Sequence, residues 1–363
     1  MNVIIVGGGV IGLSIAKELI KLDIDVKVIE KNRIGRGASW VAGGMIAPQA
    51  EGLEEGTFLD FCLESRSMYK DFVKELEKET GIETGYWECG ILKLAFSKDE
   101  EEKIKKDVKR FNKLGLKAKW FDRKELEKIY KNIGDEVLGG ALYEDDAQVD
   151  NRKLVLALEE FVKKNADIYE FEEVKEIIEE NGKFKAVKTE NYTFEADYCV
   201  ISAGAWSGKF GVPVYPLKGE MTAIDIKKED IDRVLYSSKA YLIPRKNYHR
   251  LVIGATQENV GFKDGNTVQG TLQLLNGAVD TLKNLAEKDI QEFWYGYRPS
   301  TDDELPVLGE GKIKSLVYAT GHHRNGILLA PITAKVISEY IYSGKDSKYL
   351  KEFSPNRFKS SLK

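Results

Sequence analysis

The sequence predicts an α/β protein: a Rossmann-like domain interrupted by an inserted α+β domain of mixed sheet. Three observations carry this reading. A strand, a glycine turn, a helix and a second strand open the chain between Val3 and Glu30. A strand, a glycine loop and a helix close it between Leu316 and Tyr342. From Leu217 to Tyr297 the pattern is mostly short strands, which suits a mixed sheet. The 363 residues suit about two domains, and 42% hydrophobic with 31% charged residues excludes global disorder.

Val3 to Val6 is a β-branched apolar run ending in Gly7-Gly8-Gly9-Val10-Ile11-Gly12, after which Leu13, Ala16, Leu19 and Ile20 recur at helical spacing. Val26 to Ile29 is the next strand and closes on Glu30, so the opening is a complete Rossmann-like βαβ unit. From Thr57 to about Thr80, Phe58, Phe61, Met68, Phe72, Val73 and Leu76 mark a long amphipathic helix. Ile91 to Phe96 alternates as a strand, and Asp99 and Asp122 are the expected N-caps of two charged helices ending near Leu114 and Tyr130. Asp150 caps a helix through Asn165, and Ile177-Ile178, Asn181-Gly182 and Phe184 to Val187 read as a hairpin. Tyr198 to Ile201 is a buried strand running into the Ala203-Gly204-Ala205-Trp206 loop. Strands at Met221 to Ile226, Tyr241 to Ile243, Leu251 to Ile253 and Phe293 to Tyr297, with a helix from about Gly270 to Leu285, make the inserted sheet. Leu316 to Ala319 is a strand, Gly321 to Gly326 a loop and Ile332 to Tyr342 an amphipathic helix. The expected division is a discontinuous nucleotide domain of residues 1–86, 141–217 and 299–363, and a substrate domain of residues 87–140 and 218–298.

The 55 Lys plus Arg against 59 Asp plus Glu leave a charge of -4, so no global positive field holds a nucleic acid or an anionic membrane. A small neutral or anionic partner fits better. Cys62, Cys89 and Cys199 form no CxxC pair and hence no disulfide framework, and a cytoplasmic setting is expected. The opening apolar run is broken by glycines and lacks a basic n-region, so it reads as a buried strand and not as a signal peptide. No stretch approaches the roughly 20 apolar residues of a membrane span. His249, His322 and His323 come without an acidic ligand pattern, so no metal is expected, and no Ser-His-Asp order supports a hydrolase.

Glycines at 7, 9 and 12 give a tight turn, an uncrowded backbone and close helix packing, which suits a pyrophosphate at a helix N-terminus beside Val10 and Ile11. Glu30 is placed to accept from a ribose hydroxyl. The dinucleotide is NAD or FAD on this motif alone. The next segment, Arg36 to Pro48, is a second loop of small residues, with Ala38, Ser39, Ala42, Gly43, Gly44 and Met45, and it lets backbone approach a flat ring.

With these segments the chain resembles the D-amino acid oxidase family of FAD enzymes, most closely the glycine oxidases associated with thiazole synthesis. The resemblance covers nearly the whole chain. It runs through the opening glycines with Glu30, the Ala38-Ser39 and Ala42-Gly43-Gly44-Met45-Ile46-Ala47-Pro48 segments and Ala203-Gly204-Ala205-Trp206-Ser207. It continues through Pro216-Leu217-Lys218-Gly219-Glu220-Met221, Tyr241-Leu242-Ile243-Pro244-Arg245, Gly296-Tyr297-Arg298-Pro299 and Gly321-His322-His323-Arg324-Asn325-Gly326-Ile327-Leu328. It implies a D-amino acid oxidase type fold and FAD held without a covalent link, since no Cys lies near the last segment. It implies cofactor contacts from the glycine segments, Lys31, Val174, Ala203, Gly204, Trp206, Arg298 and the residues Arg324, Asn325, Gly326, Ile327 and Leu328. It further implies that Arg298 pairs with a substrate carboxylate, that Tyr241 hydrogen-bonds the same group, that Met45 is an apolar wall and that Arg324 is a further active-site arginine.

The implied activity is oxidative deamination of glycine, sarcosine and small D-amino acids, with hydride passing to flavin N5 and no protein base required. Oxygen takes the electrons, giving hydrogen peroxide, ammonia and the oxo acid, and the glycine imine serves the thiazole of thiamine. A homo-oligomer is implied. Two readings compete: a D-amino acid, sarcosine or proline dehydrogenase passing electrons to a quinone or partner protein, and a non-catalytic flavoprotein subunit.

Overall fold

A computed structural model describes residues 1–358. Its six-stranded sheet has the order Val307–Glu310, Leu316–Thr320, Tyr198–Ile201, Asn2–Val6, Asp25–Glu30 and Asp167–Glu170. All pairs are parallel except the first. The strand Asn2–Val6 is central and apolar on both sides, as a sheet covered on two faces requires. Val3 and Ile5 pack with the helices Val10–Lys21, Thr57–Thr80, Asn151–Asn165 and Gly326–Ser343. Ile4 and Val6 face the other way, onto Phe184, Val187 and Phe194 of a three-stranded antiparallel sheet, Glu176–Glu180, Lys183–Lys188 and Thr193–Glu195. Each such buried aliphatic side chain contributes roughly 1.5 to 3 kcal/mol.

The second sheet has eight strands in the order Ile290–Ser300, Tyr215–Ile224, Leu251–Gly254, Tyr241–Pro244, Val234–Tyr236, Ile91–Ala95, Gly139–Tyr143 and Ala118–Asp122. It is antiparallel except where Val234–Tyr236 meets Ile91–Ala95. The strands Gly139–Tyr143, Tyr215–Ile224 and Ile290–Ser300 run straight through the expected boundaries at 140, 217 and 298.

Several elements differ from expectation for identifiable reasons. Asp99 is not the N-cap of its helix: Ser97 is, in a capping box with Glu100, and Asp99 lies in the first turn. Asp122 and Asp150 do cap their helices. The strand expected from Met221 begins at Tyr215, because its pairing with Ile290–Ser300 holds Pro216 and Gly219 in register with Pro299 and Gly296. The helix expected over 270–285 is Val268–Thr281, capped by Thr267, followed by a separate turn at Lys283–Glu287. The last helix starts at Gly326 and not at Ile332, although Pro331 lies inside it. Proline removes the N–H that would reach the Ile327 carbonyl, and the Tyr69 hydroxyl donates to that carbonyl at 2.8 Å instead. No helix among the described residues is long and apolar enough to cross a membrane.

Candidate active site

A cavity of about 710 Å³ lies where the two sheets meet, walled by the opening glycine turn, the loop after Glu30, the Gly204 turn, the inserted sheet and the loop ahead of the last helix. Local sequence shapes its first wall. Gly7 has φ 107°, and a Cβ there would come within 2.5 Å of the Ser202 carbonyl oxygen. A Cβ at Gly12 would approach the Gly7 carbonyl to 2.1 Å, so only glycine lets the helix sit this close to the strand. The Val10 N–H donates to Ser39 Oγ at 2.9 Å, whereas those of Ile11 and Gly12 find no acceptor among the described residues. The helix N-terminus therefore presents free donors and partial positive charge, the requirement for a bound pyrophosphate. Glu30 accepts from the Gly8 and Asn32 N–H groups, both at 2.9 Å, which fixes the turn while each carboxylate oxygen keeps a lone pair for a hydroxyl.

The second glycine loop is pinned from behind. Arg245 is buried and donates to the carbonyls of Gly43 and Val149 at 3.1 and 3.2 Å and to Asn151 Oδ1 at 2.7 Å. Asn151 in turn donates to the carbonyls of Ser39 and Trp40 at 2.8 and 3.0 Å. Burial lowers the Arg245 guanidinium to about 10, and it stays charged at neutral pH. Gly44, at φ 87°, has no room for a Cβ against the Val149 carbonyl. Across the cavity, Trp206 stacks on Phe262 at 4.9 Å and carries the Lys31 ammonium 3.3 Å from its ring centre. At the far end the helix Gly326–Ser343 begins at buried Asn325, which makes no side-chain cap, so its first N–H groups also face the cavity.

The inserted sheet supplies the remaining wall. Arg298 lies across bare Gly219, where a Cβ would come within 2.4 Å of Nη1, and Nη1 donates to the Thr256 carbonyl at 3.1 Å. No carboxylate among the described residues lies within 4.0 Å of it. Tyr241 lies beside Arg298 with its hydroxyl 3.4 Å from Met221 Sδ; burial pushes that hydroxyl's pKa up and Arg298 partly offsets the rise. Met45 sits on the short strand Met45–Ile46, paired with Ala147–Gln148, and lines the cavity. Arg324 pairs with Glu51 at 3.1 Å and with Glu304 at 3.5 Å. Burial raises the Glu51 carboxyl, and Arg324 and Lys93 offset part of that. Burial pushes His322 down to about 3, and burial with Arg324 and Arg298 pushes His323 down to about 4, so both are neutral at neutral pH.

Of the residues expected to meet the cofactor or the substrate, all line this cavity except two. Gly12 lies beneath it, packed on Gly7 and Ser202. Leu328 points into the main core, and its carbonyl accepts from Ser65 at 2.6 Å. Sequence reasoning missed Glu51, Tyr236, Gln257, Asp264 and Tyr297, which line the cavity too. Asp264 accepts from the Tyr297 hydroxyl at 2.6 Å, tying the loop after Leu251–Gly254 to the site. Tyr297 stands in the Gly296-Tyr297-Arg298-Pro299 segment without a role assigned to it, and no periodicity or motif marks the other four. None of Cys62, Cys89 and Cys199 lines the cavity.

Two glycine-shaped walls with free helix N-termini, closed by a sheet presenting an arginine that has no carboxylate partner among the described residues, define a dinucleotide-dependent oxidoreductase. The chain belongs to the DAO family of FAD-dependent oxidoreductases, whose model matches residues 2–340, and its cofactor is FAD. It is 40% identical to the bifunctional protein ThiO/ThiG of Synechocystis sp., over 98% of this chain and 54% of that protein. It thus spans about half the length of the ThiO/ThiG proteins it matches. It is 32% identical to a glycine oxidase of Geobacillus kaustophilus, over 98% of this chain and 97% of that one. The crystal structure of glycine oxidase from Geobacillus kaustophilus superimposes with a TM-score of 0.93 at 31% identity, covering 98% of each chain.

Proposed function

We propose that this protein is an amine oxidase of small amino acids, taking glycine first, with sarcosine and small D-amino acids as further substrates. The observation that carries the reading is Arg298, a cation without a carboxylate partner among the described residues, facing a cavity whose other end is built for a dinucleotide. A planar guanidinium matches a carboxylate bidentately, and Tyr241 beside it offers a further hydrogen bond to the same group. FAD, when bound, supplies the acceptor for the hydride of the α-carbon and returns the electrons to oxygen. Every other task falls to this chain. Ile11, Gly326 and Ile327 supply N–H donors, Gly12 lets the helix N-terminus sit close beneath the nucleotide, Glu30 receives a ribose hydroxyl, and Lys31, Val174 and Trp206 flank the nucleotide. Arg298 and Tyr241 fix the carboxylate, Met45 closes the apolar side, and burial favours the neutral substrate amine.

The products are the imine or its oxo acid, with ammonia and hydrogen peroxide, and the similarity to ThiO/ThiG supports delivery of the imine toward the thiazole of thiamine. The same reading includes non-covalent FAD, the division into a discontinuous nucleotide domain and an inserted substrate domain, a homo-oligomer and a cytoplasmic setting. Anaerobic titration of the yellow protein with glycine, followed by admission of air and a peroxide assay, tests it. Bleaching by glycine with stoichiometric peroxide is expected. Bleaching without peroxide points to a dehydrogenase, and no bleaching by glycine, sarcosine or D-alanine removes the reading.

A further inference from the structure

The cavity that Arg298 faces also holds a second arginine, from the loop ahead of the last helix, whose charge is already taken. Arg324 Nε lies 3.1 Å from Glu51, whose side chain is 6% exposed, and Arg324 Nη2 lies 3.5 Å from Glu304 at the rim. Both arginines and Glu51 line the same cavity, next to the parallel rings of Tyr236 and Tyr241, which are 6.4 Å apart. Glu51 is held firmly in this place. The preceding N–H groups of Gln49 and Ala50 donate to buried Asp146 at 3.4 and 2.8 Å, and Asp146 is paired with Arg66 at 2.6 Å. The following residue, Gly52, turns the chain at φ 71° against Asp107 and Lys93.

We propose that Glu51 sets the charge specificity of the site: by neutralising Arg324 it leaves Arg298 as the single anion-binding group, so the pocket takes amines with one carboxylate and rejects those with two. The proposal rests on the amine-oxidase reading above. An arginine beside the substrate position is a ready second carboxylate site, and a ligand with two carboxylates needs one. Glu51 occupies it permanently, at no cost in freedom, because its backbone is already fixed. A second anion must displace a buried carboxylate and then lie beside it, and like charges brought together in a partly desolvated site cost several kcal/mol. The device works by repelling the wrong ligand as much as by attracting the right one.

The test uses the full chain loaded with FAD, with acetate and malonate as non-reacting probes whose binding is measured by calorimetry. The parent should bind acetate at least about 30-fold more tightly than malonate. Glu51→Gln keeps the shape and removes the charge; malonate affinity should rise at least about 30-fold while acetate changes less than about threefold. The gain should vanish in Glu51→Gln/Arg324→Met, and iminodiacetate should reduce the flavin of the single variant only. Equal binding of the two probes by the parent overturns the proposal, and that measurement needs no variant to fold. So does a Glu51→Gln protein that retains FAD and acetate but gains no malonate, or a gain that survives loss of Arg324. Glycine reduction of the parent tests the amine-oxidase reading separately: its failure with the selectivity intact leaves the charge assignment standing on another substrate.

Discussion

The two ends of the cavity are built from different materials. The nucleotide end is made largely of backbone: Gly7, Gly9, Gly43 and Gly44 leave it uncrowded, Gly12 packs the helix beneath it, and two helix N-termini supply free N–H groups. The substrate end is made of side chains, Arg298, Tyr241, Met45, Arg324 and Glu51, drawn from four separate stretches of chain. A backbone site needs correct local conformation and tolerates no added atoms. A side-chain site needs correct distant pairing and tolerates substitution at the expense of specificity. The contrast teaches where damage goes: to cofactor retention and folding at one end, to substrate terms at the other.

The largest expected effect breaks the nucleotide end. Gly12→Val places branched carbons against the Gly7 carbonyl and Ser202 Oγ, 2.1 and 2.6 Å from where a Cβ would sit, and overpacking of this kind costs about 3 kcal/mol or more. The protein should emerge colourless with a lowered Tm; a yellow variant of parental Tm would show that the helix has room. Next, Arg298→Leu should keep FAD and lose roughly 100-fold in kcat/KM for glycine, about 2.7 kcal/mol, mainly through the substrate term. Stopped-flow flavin reduction at the parental rate would make Arg298 structural.

Smaller effects sharpen the comparison. Glu30→Ala should weaken FAD retention about tenfold with a small change in Tm, because the carboxylate both braces the Gly8 and Asn32 N–H groups and meets the ribose. Unchanged FAD affinity by equilibrium dialysis would limit Glu30 to bracing the turn. An effect confined to acid pH is expected at His322, buried with Nε2 3.1 Å from Thr333 Oγ1. Its pKa falls from 6.5 to about 3 on folding, so below pH 6.5 the unfolded chain binds a proton that the folded one refuses. Its contribution is therefore present above pH 6.5 and lost as pH falls toward 3. His322→Gln should flatten the fall of Tm between pH 7 and pH 4.5, and an unaltered slope would mean that other groups dominate it.

The opening βαβ unit, the long helix from Thr57, the Asp122 and Asp150 caps and both glycine loops follow from local signals, namely apolar spacing, capping side chains and residues that alone permit positive φ. Arg298 is legible only through the family resemblance, carried by the Gly296-Tyr297-Arg298-Pro299 segment. Other features depend on contacts the sequence does not bring near one another. The last helix survives Pro331 because Tyr69, from a distant helix, satisfies the stranded carbonyl. Pro216 joins a long strand because its partner is Pro299, across a register that only the folded sheet defines. No signal in the sequence marks Glu51, and it becomes a pocket residue because Asp146 and Arg66 hold its loop inward against Arg324. The sequence by itself determined the cofactor's class and the shape of its cradle, since both depend on backbone conformation over a few consecutive residues. Which charges face the substrate, and which of them cancel, was decided only by the tertiary structure, because electrostatic pairing acts through space and the chain order carries no record of it.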